Sequence, residues 1–302
     1  MQGRICALVP LVCAAALSAC GGGGGGGSSV TIGGFTRWSA LRPGTTATLV
    51  AMTREADYTY DPDTGLLTGV GAGSPLATDS SLTLGLDAAG EVNLLAIETP
   101  QSNLSLSVAN GDLFGDLGGG LLAAVSADES KLILAADPIA LGWNYQTFGV
   151  WDTVFDADSG RIGAFSAGAP TPVSAVPTSG TATYTGMAGG FHADAAGATS
   201  LTSAMLRVDA DFGARTLAFS TSNTAITADL VTYSPAPSLD LAGTLGYAAG
   251  TNTFSGAIET ASGMSGRADG RFYGPNAEEI GGVFETRGSG VEVYGGAFGG
   301  RR

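Results

Sequence analysis

Between residues 204 and 212 the chain reads AMLRVDADF, in which Ala204, Leu206, Val208, Ala210 and Phe212 are apolar while Arg207, Asp209 and Asp211 between them are charged. Successive side chains of a strand point to opposite faces, so a period of two sorts this segment into an apolar and a polar surface. A helix would need a period near 3.6. The alternation returns after each turn-like stretch, at Leu217 and Phe219, at Leu239, Leu241, Leu245 and Tyr247, at Phe254, Gly256 and Ile258, and at Gly266, Ala268, Gly270 and Phe272. With GTATYTGMAG (180–189), EIGGVFET (279–286) and VEVYGGAF (291–298), eight strands are expected from residue 180 onward. Short turns and one apolar face per strand fit an eight-stranded antiparallel up-and-down β-barrel.

Glycine supports that expectation. An eight-stranded barrel is only just wide enough to be filled by side chains, so Phe254 and Phe272 need small neighbours such as Gly256 and Gly270 on the inward face. A membrane barrel also alternates but turns its apolar face outward over longer strands, so the pattern alone leaves both arrangements open.

The first half is β-rich but less regular. TATLVAM, SLTLGL, EVNLLAIET, NLSLSV, LLAAVSA and KLILAADP read as strands, and Asp87 to Gly90 as a hairpin turn. The stretch APTPVSAVPTSG, 169–180, marks the expected boundary. The chain is therefore all-β, with a β-rich N-terminal domain over 30–175 and a barrel over 176–302.

The N-terminus supplies an address. MQGR carries one arginine and no acid, the apolar run 5–19 is too short for the roughly 20 residues of a membrane-spanning helix, and small residues precede Cys20. Leu17-Ser18-Ala19-Cys20 resembles the lipobox of bacterial lipoproteins, which implies a signal peptide over 1–19 and acylation of Cys20. An ordinary signal peptide cut nearby is the alternative. Residues 20–29, rich in glycine and serine, then form a tether. Cys6 and Cys13 leave with the signal, so Cys20 is the remaining cysteine and no internal disulfide is expected. After cleavage 12 basic residues face 27 acidic ones, a net charge of −15. Such a surface repels phosphate and excludes nucleic acid as a partner.

FYGPNAEEIGGVFE (272–285), with VPTSGTATYTGMAGG and NYQTFGVW upstream and a terminal YGGAFGGRR, resembles the barrel half of a lobe of bacterial transferrin-binding protein B. The resemblance implies a surface lipoprotein, anchored in the outer membrane by lipid, whose lobe pairs a β-rich handle domain with an eight-stranded barrel. It further implies a non-enzymatic binding protein for a host or environmental protein or a haem-type ligand, in iron or haem acquisition. It covers one lobe where the transferrin receptors have two, and no motif here matches their ligand-gripping loops. A structural or adhesion lipoprotein of the envelope is the alternative.

The candidate sites are few. Tyr58, Tyr60, Trp143, Tyr145, Phe148 and Trp151 gather near expected turns, and tyrosine and tryptophan dominate interface hot spots, so these aromatics are the candidate binding surface. Packing between handle and barrel is the other reading. Glu278 and Glu279 follow the turn residues Gly274-Pro275-Asn276 and are expected on the solvated rim rather than as an acid/base pair. Asp61 to Gly65 and Asp156 to Gly160 both read DxDxG, but Ala72 and Ala167 stand where a calcium loop carries glutamate, so Asp/Gly turns are expected. His192, the only histidine, is a surface residue or, less simply, a haem-iron ligand. No metal, cofactor or catalytic constellation is expected.

Overall fold

The structure is a computed structural model that describes residues 29–31 and 35–302. Cys20 and nearly all of the tether lie outside the described residues. Two sheets account for the described chain, linked by short 3-10 turns.

The first sheet holds β1 (Ser29–Thr31), β2 (Thr46–Tyr60), β3 (Leu67–Val70), β4 (Ala77–Leu86), β5 (Val92–Glu98), β6 (Asn103–Ser107), β7 (Leu113–Gly118), β8 (Leu121–Val125), β9 (Lys131–Ala136), β10 (Gln146–Asp156) and β11 (Ser159–Gly168). Its order is β6-β5-β4-β2-β11-β10-β9-β8-β7, with β1 and β3 beside β2. Since β6 and β7 follow one another in the chain yet end opposite edges, the sheet curls almost into a barrel and leaves one ladder unmade. Its inner face buries Leu82, Leu95, Ile97, Trp151 and Phe165. The six expected segments form β2, β4, β5, β6, β8 and β9; among the further strands, β7 has a Gly-rich, Asp-containing sequence that reads as a loop.

The second sheet holds β12 (Thr181–Ala193), β13 (Thr199–Asp211), β14 (Thr216–Thr227), β15 (Ser234–Pro235), β16 (Leu241–Gly246), β17 (Thr253–Thr260), β18 (Ser265–Tyr273), β19 (Glu279–Arg287) and β20 (Val293–Arg301). Apart from the two-residue β15 on the edge of β14, neighbours in sequence are neighbours in space, and β20 returns to pair with β12. The result is a closed, eight-stranded antiparallel barrel. Its apolar face is internal: Ala204, Leu206, Val208 and Ala210 are buried, while Met205 is 60% exposed. Charged Arg207 and Asp209 lie outside. Inside, Phe272 stacks edge-on with Phe254 at 5.2 Å and with Tyr247 at 5.4 Å, and Phe219 meets Phe298 at 5.1 Å. A Cβ at Gly270 would overlap the Phe254 ring, as expected of a crowded interior. Leu239, expected within a strand, instead ends the 3-10 turn Pro237–Leu239 and plugs the barrel from there.

The connection from β11 to β12 is stapled to the barrel. Thr171 donates its backbone N–H to the Phe272 carbonyl at 2.9 Å and its hydroxyl to the Gly274 carbonyl at 2.7 Å, and Asn252 Nδ2 donates to the Thr171 carbonyl at 2.6 Å. Nothing about this linker resembles a free hinge.

Candidate functional site

The two sheets meet where β12, β19 and β20 turn their outer faces toward β2, β10 and β11. Val283 and Ala297 point out of the barrel yet are fully buried, packed in one cluster with Tyr58, Tyr60, Trp143 and Phe148. Glycine makes this approach possible. At Gly281 a Cβ would stand 2.5 Å from the Ser166 hydroxyl oxygen, and at Gly299 it would overlap the Gln146 amide. These two glycines face the other sheet, a role distinct from the inward room-making anticipated for Gly270.

Glu279 corrects the sequence reading. It is 1% exposed rather than on a solvated rim, and its carboxylate accepts the backbone N–H groups of Asn144 at 2.6 Å and Tyr145 at 2.9 Å. Burial pushes its pKa up; these backbone donors, that of Gln146 and the charge of Arg301 oppose the shift. Glu278 stays half-exposed and accepts the backbone N–H of Asn276 at 2.7 Å. The neighbouring turn takes its positive φ at Gly274 (87°) and Ala277 (60°). The pair is thus a clamp plus a turn brace, with the two carboxylates on separate tasks.

The candidate aromatics Tyr58, Tyr60, Trp143, Tyr145 and Trp151 are all buried, between 1% and 8% exposed. Trp151 lies inside the first sheet against Phe165; Tyr58, Tyr60 and Trp143 lie between the sheets. Tyr145 receives the Arg37 guanidinium at 3.4 Å and stacks edge-on with Phe35 at 6.0 Å. Their positions near turns suggest exposure, but those turns are covered by the opposing domain. None presents a free ring face to a partner.

Polar groups tie the junction further. Arg54 pairs with Asp269 at 2.9 Å, and Asp269 also receives Arg267 at 2.9 Å. The hydroxyls of Ser166 and Tyr273 lie 3.0 Å apart. Within the first sheet, Tyr58 donates its hydroxyl to Asp152 at 2.8 Å, and burial pushes the Asp152 carboxyl up to about 7. The Gln146 amide, fully buried against Gly281 and Gly299, has no hydrogen-bond partner among the described residues.

His192 sits half-buried at one end of the junction, beside a small crevice lined by Tyr58, Leu67, Ile162, Phe191 and Val293. Burial lowers its pKa. Its ring meets that of Tyr294 edge-on at 6.3 Å. Among the described residues no three His, Cys, Asp or Glu side chains are grouped to hold a metal ion. Both DxDxG motifs are turns: Asp61 accepts the Asp63 N–H at 2.8 Å with Gly65 at φ 73°, and Asp156 closes the β10–β11 hairpin opposite Ser159.

Residues 176–302 match a family model described as the C-lobe and N-lobe beta barrels of Tf-binding protein B. The C-terminal domain is thus similar to the barrels of transferrin-binding protein B. No curated protein matches the chain in sequence. Solved structures similar to it include a mutant of the vaccine antigen transferrin-binding protein B from Haemophilus parasuis, at 13% identity and a TM-score of 0.40, covering 84% of this chain and 76% of that one. Another is the isotype 1 protein from serogroup B Neisseria meningitidis, at 20% identity and a TM-score of 0.40, with 82% of this chain but 43% of that one covered. A third is a mutant from Actinobacillus pleuropneumoniae, at 10% identity and a TM-score of 0.42, covering 84% and 99%.

Within this barrel, the segment FYGPNAEEIGGVFE is the surface that docks the N-terminal sheet. Phe272, Ile280 and Phe284 fill the barrel, Gly281 admits Gln146 and Ser166, and Glu279 holds the chain at Asn144 and Tyr145. Sequence reasoning missed Gln146, Asp152 and Asp269. Asp152 could have been flagged as a lone acid within the otherwise uncharged strand run QTFGVWDTVF.

Proposed function

We propose that the chain is a lipid-anchored, non-enzymatic binding protein of the outer membrane, which displays its two-domain lobe at the cell surface to a host or environmental protein or a haem-type ligand in iron or haem acquisition. The match of residues 176–302 to the barrels of transferrin-binding protein B carries this reading. The lipobox-like Leu17-Ser18-Ala19-Cys20 and the following glycine run support the anchor. The junction aromatics and buried carboxylates are spent on holding the two domains together, which leaves the loops of a rigid lobe as the contact surface. Retention of transferrin, haemoglobin or immobilised haem by the purified lobe tests the reading. Failure to retain any of them, with normal growth of a deletion strain on restricted iron, would reject it.

A second reading is an envelope lipoprotein with a structural or adhesive task, supported by the burial of all the candidate aromatics inside the lobe. Loss of envelope integrity without an iron phenotype in the deletion strain would support it.

A further inference from the structure

The curled N-terminal sheet fails to close at one place. β6 and β7 leave a common corner, where Asp112 accepts the Ser107 N–H at 2.7 Å and the Ala127 N–H at 2.9 Å, yet no ladder joins them. β6 pairs with β5 along one edge, from Asn103 opposite Glu98 to Ser107 opposite Leu94. Among the described residues no strand lies beside its other edge, and no backbone hydrogen bond leaves Asn103–Leu106 except into that ladder. An unpaired edge is a template for another strand, and proteins ordinarily blunt it with lysine, proline or a bulge. Asn103–Ser107, reading NLSLS, carries none of these. Leu104 and Leu106 anchor it from within, so the edge is held rigid. β7 is the poorer template, since it bulges between Asp116 and Gly118, and Gly118 takes φ 77°.

Charge says which strand the edge would take. From residue 55 to residue 130 the chain holds no lysine, arginine or histidine; exposed Glu98 stands on β5, which pairs with β6, and exposed Asp116 on β7, the opposite edge strand. Arg161, at the Glu98 end of this edge, is already engaged with Asp57 at 2.6 Å and with the Gln101 carbonyl, and Lys131, beside the Asp112 corner, lies near Asp128. Val108, Leu113 and Leu117 are exposed beside the gap, at 52%, 50% and 36%. We propose that the open edge of β6 accepts an extended, basic segment of a partner protein, which adds to the sheet as a strand. Main-chain hydrogen bonds would supply affinity, and apolar side chains on Val108 and Leu113 with cations toward Glu98 and Asp116 would supply selectivity. The surface belongs to the N-terminal sheet and holds whether or not the partner is a nutrient carrier.

The test uses the detergent-solubilised mature chain and a synthetic peptide alternating valine with lysine, beside its scrambled and its valine–glutamate counterparts. Amide hydrogen exchange in the free protein is expected to show fast-exchanging N–H groups within Asn103–Ser107. The valine–lysine peptide is expected to protect them and to leave the barrel amides unchanged. Val108→Lys with Leu113→Lys, at exposed positions, is expected to weaken binding about tenfold or more by like-charge opposition. Val108→Gln with Leu113→Gln is expected to change it little. Protection of every Asn103–Ser107 amide in the free chain would overturn the proposal, as would equal binding of all three peptides. So would a dimer in sedimentation that the lysine pair dissociates, because the edge would then serve a second copy.

Discussion

Glu279, at the first position of β19, accepts the backbone N–H of Tyr145 at 2.9 Å across 134 residues of chain. With Asn144 as a second donor, one carboxylate fastens the start of β10 to the barrel. Replacement by glutamine puts an amide donor where two N–H groups point. Glu279→Gln is expected to cost about 2 kcal/mol, the scale of a buried donor left unpaired. Denaturant unfolding followed at Trp143 and at a barrel probe checks it, and earlier loss of the Trp143 signal is the expected sign of a loosened junction.

Gly299 and Gln146 form a second coupled pair. A methyl at Gly299 meets the buried amide, so Gly299→Ala is expected to destabilise by about 1–3 kcal/mol through overpacking. Gln146→Ala vacates that space and removes an amide without a partner, so the double variant should be more stable than Gly299→Ala alone. Additive losses in a double-mutant cycle would contradict the contact.

Asp152 gives the lobe a pH dependence of definite sign. Its carboxyl lies at about 7 in the folded chain against an ordinary 3.8, with burial as the cause and the Tyr58 hydroxyl opposing. Between those values the folded chain keeps a proton that the unfolded chain releases. The stability that Asp152 contributes therefore falls as pH rises through this window, by roughly 1.4 kcal/mol per pH unit at most. Asp152→Asn retains an acceptor for Tyr58 and carries no titrating proton. Melting curves from pH 4 to pH 7 are expected to show a flatter profile for Asp152→Asn than for the parent.

The barrel was legible because one face per strand must be apolar: the alternation at Leu206, Val208 and Ala210 specified the strands and sorted their two faces without knowledge of neighbours, while which face turns inward was left to the structure. The junction was not legible, for the opposite reason. Glu279 beside a turn reads as solvated, and only the arrival of residues 144–146, distant in sequence, buries it. For Trp143 and Tyr145 the same local view left a binding surface and packing between the domains both open, since a turn is exposed only if no second domain covers it, and the structure buries both residues. Gly281 and Gly299 look like the inward glycines at Gly256 and Gly270, and nothing local distinguishes a glycine that admits a ring from one that admits another sheet.

Lipid attachment at Cys20 and display at the surface make up the central claim, and one measurement addresses both. Cells are labelled with a palmitate analogue, and intact cells are then treated with protease. The account predicts label on the parent chain, none on Cys20→Ser, and removal of the lobe from intact cells. An unlabelled parent chain, or a lobe that protease reaches only after lysis, would contradict it.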